Sequence, residues 1–192
     1  MTGRLRPVPR SGEEVRRRLQ EAALALYRER GYDAVTAAEI AAAVGVTERT
    51  FFRHFPDKRE VLFGGQDVVA TALARAIAEV PDATAPMAVL GEAFRALRPV
   101  LEVNRPFAVP RAELIASTPA LRERELAKIA TIQDAAARAL AARGIPDRQA
   151  VLAAQIGAAT FGLAIQEWTS DSAADFDSLL ARAFQDVREL VR

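Results

Sequence analysis

Between Thr36 and Phe55 the chain sets groups at spacings suited to recognition chemistry. Arg49 and Arg53 stand four residues apart, so on a helix at 100° per residue they share one face, and Phe51 and Phe55 share roughly the opposite one. One face is apolar and the other cationic. An Arg fork carried by a slim helix can pair with the O6 and N7 acceptors of guanine in the major groove of DNA, and Thr50 and Phe52 flank that face. The Thr36 and Thr47 hydroxyls, the N–H groups at two helix starts, His54 and Lys58 suit phosphate oxygens, and Arg4, Arg6 and Arg10 could add sequence-independent attraction. Glu48 is out of keeping with phosphates, but a helix start tolerates it and it can accept a hydrogen bond from cytosine N4.

Covalent and metal chemistry find little to work with. No cysteine means no thiolate nucleophile, no disulfide and no Cys-ligated zinc, and the single histidine cannot build a His-rich site. The later helices hold no spaced carboxylate cluster. The chain therefore reads as a non-enzyme with no cofactor and no metal.

The elements that must position these groups read as helices throughout, because alternating β-branched runs are missing while apolar residues recur at three and four. Ser11 and Glu14 form a capping box for a first helix that Gly31 ends. Thr36 and Glu39 open a second, closing near Val44 and Gly45. Thr47 caps a third that stops before Pro56. This pair of short helices around Gly45 is a helix-turn-helix. Asp57 and Glu60 predict a fourth helix through about Val80, with Gly64 and Gly65 inside it as either a pliable joint or a close-packing point. Further helices are expected at about 86–103, 106–116, 119–142, 147–169 and 174–191.

With 192 residues, 51% of them apolar, the chain can bury a substantial core. The first 60 residues carry a net charge of +3 and the remainder −2, a basic module followed by a neutral one. The uncharged stretch from Gln149 to Gln166 reads as a buried helix of a soluble protein, not a membrane span. The basic N-terminus lacks the apolar segment of a secretory signal, which places the chain in the cytoplasm.

Gly31-Tyr32-Asp33-Ala34-Val35-Thr36, Ile40-Ala41, Val44-Gly45-Val46, Thr50-Phe51-Phe52-Arg53-His54-Phe55 and Lys58 together resemble the N-terminal domain of TetR/AcrR-type regulators, over about residues 11–63. The resemblance implies an all-α fold: a flexible basic arm at 1–10, a three-helix DNA-binding domain at 11–57, and a helical effector-binding and dimerisation domain at 58–192. It implies that Glu48, Arg49, Thr50 and Phe52 approach bases, that Thr36, Ala37, Thr47, Arg53, His54 and Lys58 approach the backbone, and that Ala38 lies near the groove. Phe52 departs from the tyrosine frequent in the family, so contact with a thymine methyl replaces a hydroxyl contact.

Ala154, Ala158 and Gly162 form a small-residue stripe, and Leu180, Phe184 and Val187 an apolar one. By resemblance these two helices pair with their symmetry mates. Phe94, Leu97, Leu101, Phe107, Leu114, Ile129, Ile132, Phe161 and Trp168 could line an effector cavity or simply fill a core, with Arg98 and Gln133 among the polar candidates. The expected function is a homodimeric repressor released from a palindromic operator by a small molecule. The alternative is a ligand-independent or activating DNA-binding regulator whose C-terminal domain serves only dimerisation.

Overall fold

The computed structural model describes residues 12–64, 66–81, 85–171 and 173–190, and every regular element among them is helical. The order is α1 (Gly12–Arg30), α2 (Ala37–Ala43), α3 (Glu48–His54), a 3₁₀ turn (Glu60–Leu62), α4 (Gln66–Glu79), α5 (Pro86–Ala96), α6 (Arg98–Ser117), α7 (Pro119–Ala142), α8 (Asp147–Ser170) and α9 (Phe176–Leu190). The chain divides into two compact units, Met1–Gly64 and Gly65–Arg192.

In the first unit α1 buries Leu19, Ala23 and Tyr27, one stripe at a spacing of four. Ile40 and Ala41 of α2, Phe51 of α3, and Phe55, Val61 and Leu62 complete the core. Gly31 ends α1 with φ 83°, a left-handed backbone that suits glycine, and its N–H donates to Tyr27 O at 2.9 Å. The Ser11 cap and the basic arm with Arg4, Arg6 and Arg10 lie outside the described residues.

The fourth helix departs from expectation. Asp57 Oδ1 accepts from the N–H groups of Arg59 and Glu60 at 2.7 and 2.9 Å, but the turn it starts is the 3₁₀ segment, and α4 begins only at Gln66. Gly64 thus precedes α4. A Cβ there would fall 2.8 Å from both Arg16 Nη2 and Gln20 Nε2 and 3.2 Å from Phe55 Cε1, while Gly65 lies outside the described residues.

The second unit packs Leu73 and Ile77 of α4, Leu90 and Phe94 of α5, Leu140 of α7 and Trp168 of α8 into one interior. The break between α5 and α6 falls at Leu97, not at 104–105. Leu97 N–H donates to Phe94 O, closing α5, while its carbonyl accepts from Leu101 and opens α6. Pro99 sits in the first turn of α6, where no N–H is needed, and Pro106 and Pro110 lie inside that helix, each lacking the N–H for the carbonyl four residues back. At the end of α7, Arg143 donates to the carbonyls of Ile77, Val80 and Pro81 at 3.0, 2.7 and 2.8 Å, which satisfies the terminal acceptors of α4.

The close approach along α8 is intramolecular at Gly157, whose Cβ, if present, would lie 2.6 Å from Leu90 Cδ1. Leu90 is fully buried and has no room to retreat. Gly157→Val is expected to lower stability by about 1–3 kcal/mol through overpacking, read as a lower Tm in thermal denaturation followed by circular dichroism.

Candidate nucleic-acid interface

Two local devices hold α2 and α3 at a sharp turn. Gly45, at φ 73°, donates to Ala42 O and Val46 to Ala41 O, both at 3.0 Å, the paired bonds of a Schellman end. Arg18 Nη2 adds a bond to Val44 O at 3.1 Å. Thr36 caps α2, its Oγ1 accepting from Glu39 N at 3.2 Å while Glu39 Oε2 accepts from Thr36 N at 2.9 Å. That backbone bond, with Arg30 Nη2 at 2.7 Å from Glu39 Oε1, holds the Glu39 carboxyl at about 2. Thr47 caps α3, accepting from Thr50 N at 3.2 Å and sharing a hydroxyl contact with Thr50 at 3.1 Å.

The two faces of α3 are those that the spacing predicts. Phe51 and Phe55 are buried with ring centroids 5.6 Å apart. Glu48, Arg49, Phe52 and Arg53 are exposed and Thr50 is half-buried. Phe52 leaves half of its surface, 50%, in solvent while its ring meets Phe51 edge-on at 5.5 Å. A large apolar ring between two cations on an open face is poorly placed for folding and well placed for contact.

Other expected members sit differently. Ala37 turns its methyl into the core, so its side chain cannot meet a phosphate, while Ala38 is exposed. Lys58 reaches inward: Nζ donates to Tyr32 O at 2.9 Å and Val35 O at 3.0 Å, lies 3.4 Å from Asp33 O, and stands 4.4 Å from the Tyr32 ring centroid. It braces the loop after α1. The Tyr27 hydroxyl donates to Lys58 O at 2.6 Å, and burial pushes that phenol well above its ordinary range. His54 is half-buried, its Nε2 is buried with no hydrogen-bond partner among the described residues, and burial together with Arg53 and Arg16 holds its pKa below the ordinary value.

The sequence reading missed two cations. Arg16 and Arg18 of α1 bond other elements, whereas the exposed Arg17 between them is paired with Glu14 and Glu21. Arg16 lies 4.7 Å over the Phe55 ring and donates to His54 O at 3.4 Å, holding the end of α3. The signal was available in register, since Arg16 lies one turn from the buried Leu19 and the half-buried Gln20.

In the second unit the expected cavity-lining residues divide between buried and half-buried positions. Phe94, Leu97 and Trp168 are buried, and Phe94 stacks on Phe161 at 4.4 Å. Leu114 is buried, and Leu101, Phe107, Ile129, Ile132 and Gln133 are half-buried. Arg98 is paired with Asp177 at 2.7 Å. Two clefts, of about 130 and 340 Å³, are lined by other residues, Gly91, Arg95 and Arg188 in the first and Ala76, Val80 and Ala96 in the second. Of the expected dimer contacts, Ala154, Leu180 and Phe184 are buried inside the same chain, Ala158 and Val187 are half-buried, and Gly162 is exposed.

The sequence profile of bacterial regulatory proteins of the tetR family matches residues 19–63, and that of the MftR C-terminal domain matches residues 84–192. The HTH-type transcriptional regulator TcmR of Streptomyces glaucescens is 32% identical over 127 residues, which cover 63% of this chain and 56% of that protein. The chain thus spans little more than half the length of that relative. Thermus thermophilus FadR, a TetR-family repressor solved with lauroyl-CoA, is 25% identical, with 88% of this chain and 91% of that one covered at a TM-score of 0.54. A TetR-family structure from Syntrophomonas wolfei, 18% identical, covers 94% of this chain and 96% of its own at 0.65 and is similar in fold.

Lys58→Met keeps the alkyl stem and removes the carbonyl brace. It is expected to destabilise the protein by about 1–3 kcal/mol, and to leave the salt dependence of DNA binding by the folded variant unchanged; urea denaturation and fluorescence anisotropy at graded salt check the two parts.

Proposed function

Since the chain belongs to the tetR family of bacterial regulatory proteins, which are transcriptional regulators and not enzymes, we propose that it is a homodimeric repressor that reads a two-fold symmetric operator with α3 and leaves it on binding a small molecule. The observation that carries the DNA-reading part is the exposure of Arg49, Phe52 and Arg53 on a short helix anchored by buried Phe51 and Phe55. Arg49 reads base edges, Phe52 meets a thymine methyl, and Thr50 and Glu48 take the neighbouring bases. Arg53, Thr36, Thr47 and His54 lie against the backbone, with Ala38 beside the groove. The protein works where such operators are, in the cytoplasm.

Dimerisation is supported by the outer face of α8. The uncharged stretch expected to be a buried helix lies in α8, which is long and apolar enough to cross a membrane, yet only 33% of its most apolar window is buried. Leu152, Ile156 and Leu163 are 49%, 40% and 47% exposed along one side, with Gly162 and half-buried Ala158 close by. A second copy of the same helix covers this face and sets two α3 helices at the spacing of two half-sites, one or more turns of DNA apart.

Ligand response is supported by the likeness to FadR, which was solved with lauroyl-CoA. A small molecule acts by differential affinity for two states of the dimer. The tightly filled interior, with Phe94 stacked on Phe161, favours a second reading in which the C-terminal unit serves dimerisation alone.

Selection of sites from a random duplex library tests the DNA-reading proposal. A two-fold symmetric motif is expected, and an unsymmetric one would overturn the dimeric mechanism. On the selected site, Arg49→Ala and Arg53→Ala each weaken binding by about 1–3 kcal/mol in anisotropy titrations, Arg49→Ala also relaxing base preference. Ile156→Glu, which places a charge on the α8 face, shifts the dimer to monomer in sedimentation velocity.

A further inference from the structure

Arg16 of α1 is wedged between two stretches of backbone in the first unit. Its Nη1 donates at 3.4 Å to the carbonyl of His54, the last residue of α3, and its guanidinium carbon stands 4.7 Å over the Phe55 ring centroid. The other terminal nitrogen faces Gly64: a Cβ there would lie 2.8 Å from Arg16 Nη2, and equally close to Gln20 Nε2 one turn further along α1. Gly64 is the last residue of the first unit, and α4 begins at Gln66. One planar group thus meets both the end of α3 and the point at which the chain leaves the unit.

The end of α3 needs such a group. The last carbonyls of a helix have no partner within it. Phe55 N–H donates to Phe51 O at 3.0 Å, but the next residue is Pro56, which has no N–H with which to continue the ladder to Phe52 O. A cation donating to His54 O satisfies one acceptor and meets the negative end of the helix, and the Phe55 ring adds a cation–π contact. The two ends of α3 are therefore held differently. Thr47 caps the first turn from the neighbouring sequence, whereas Arg16 holds the last turn from another helix. Arg49 lies in the first turn and Arg53 in the last, beside His54, so a displacement of Arg16 moves Arg53 more than Arg49.

We infer that Arg16 is a positioning residue for DNA reading: it fixes the C-terminal end of α3 and passes to it the position of the backbone at Gly64. The inference rests on the reading of DNA by α3 proposed above. With its guanidinium engaged on His54 O and the Phe55 ring, Arg16 acts on DNA through the aim of Arg53 and not through a phosphate contact of its own.

Amide hydrogen exchange of the full-length protein without DNA, and anisotropy titrations on the selected operator duplex, test this. Arg16→Met keeps the alkyl stem, and Gly64→Ala adds a methyl that displaces the guanidinium. Each is expected to speed exchange of the Phe55 amide about fivefold while the Val46 amide, in the turn before α3, exchanges as in the wild type. On the duplex, Arg16→Met lowers affinity about fivefold with the salt slope unchanged. Its loss and that of Arg49→Ala multiply, whereas combined with Arg53→Ala it costs little more, and adding Gly64→Ala to Arg16→Met costs nothing further. A salt slope smaller by about one would make Arg16 a phosphate contact, and equal coupling to Arg49 and Arg53 would make it a general support of the fold. Either result overturns the assignment, as does wild-type exchange of the Phe55 amide in Arg16→Met. Faster exchange at Phe55 in both variants, with DNA binding indifferent to Arg49→Ala and Arg53→Ala, upholds the link from Gly64 to α3 and refutes reading by α3.

Discussion

The burial of Phe51 and Phe55 behind α3 is the contact on which the rest of the first unit depends. Each ring removes a large apolar surface from water, and the two touch at 5.6 Å against Leu19, Ile40 and Val61 in one core. A helix of seven residues has little stability of its own and takes its orientation from what it buries. Once those rings point inward, helical geometry leaves Arg49, Phe52 and Arg53 no direction but outward. The reading face is thus a by-product of packing on the opposite side, and its precision comes from the core and from the Thr47 cap.

Long cationic side chains complete the scaffold by closing helix ends and loops. Lys58 gathers the carbonyls after α1, Arg18 bonds the end of α2, Arg16 the end of α3, Arg143 the end of α4, and Arg105 the carbonyls of Trp168 and Asp171 at the end of α8 while lying 4.3 Å over the Trp168 ring. Terminal carbonyls without helical partners are strong acceptors, and a guanidinium or ammonium satisfies several together. Cations on α3 that take no such part stand out by contrast. In a family of DNA-binding regulators, the division between cations that hold the fold and cations that face outward separates scaffold from interface.

The second unit combines a tightly filled interior with an incompletely covered outer face. Aromatic contacts among Phe94 of α5, Phe161 and Trp168 of α8 and Phe176 of α9, at 4.4 to 6.2 Å, tie these three helices together. The exposed side of α8 holds the apolar surface that a monomer would bury if it could. The proposed homodimer covers that side.

The amino-acid sequence alone determined the helical class, the helix-turn-helix with its Gly45 turn, the caps at Thr36 and Thr47, and the two faces of α3. All of these follow from interactions within four residues, which spacing and residue type express directly. Tertiary structure decided whatever depends on distant neighbours. It turned Lys58 inward onto carbonyls some 23 to 26 residues away, set Arg16 and Arg18 on the ends of α3 and α2, stopped the segment after Asp57 as a 3₁₀ turn, and buried Phe94, Leu97 and Trp168. It also laid Gly157 against Leu90 and turned Leu152, Ile156 and Leu163 outward on the other side of α8. A cation beside a carbonyl and a cation beside a phosphate look alike in a sequence; only the path of the chain shows which partner each one meets.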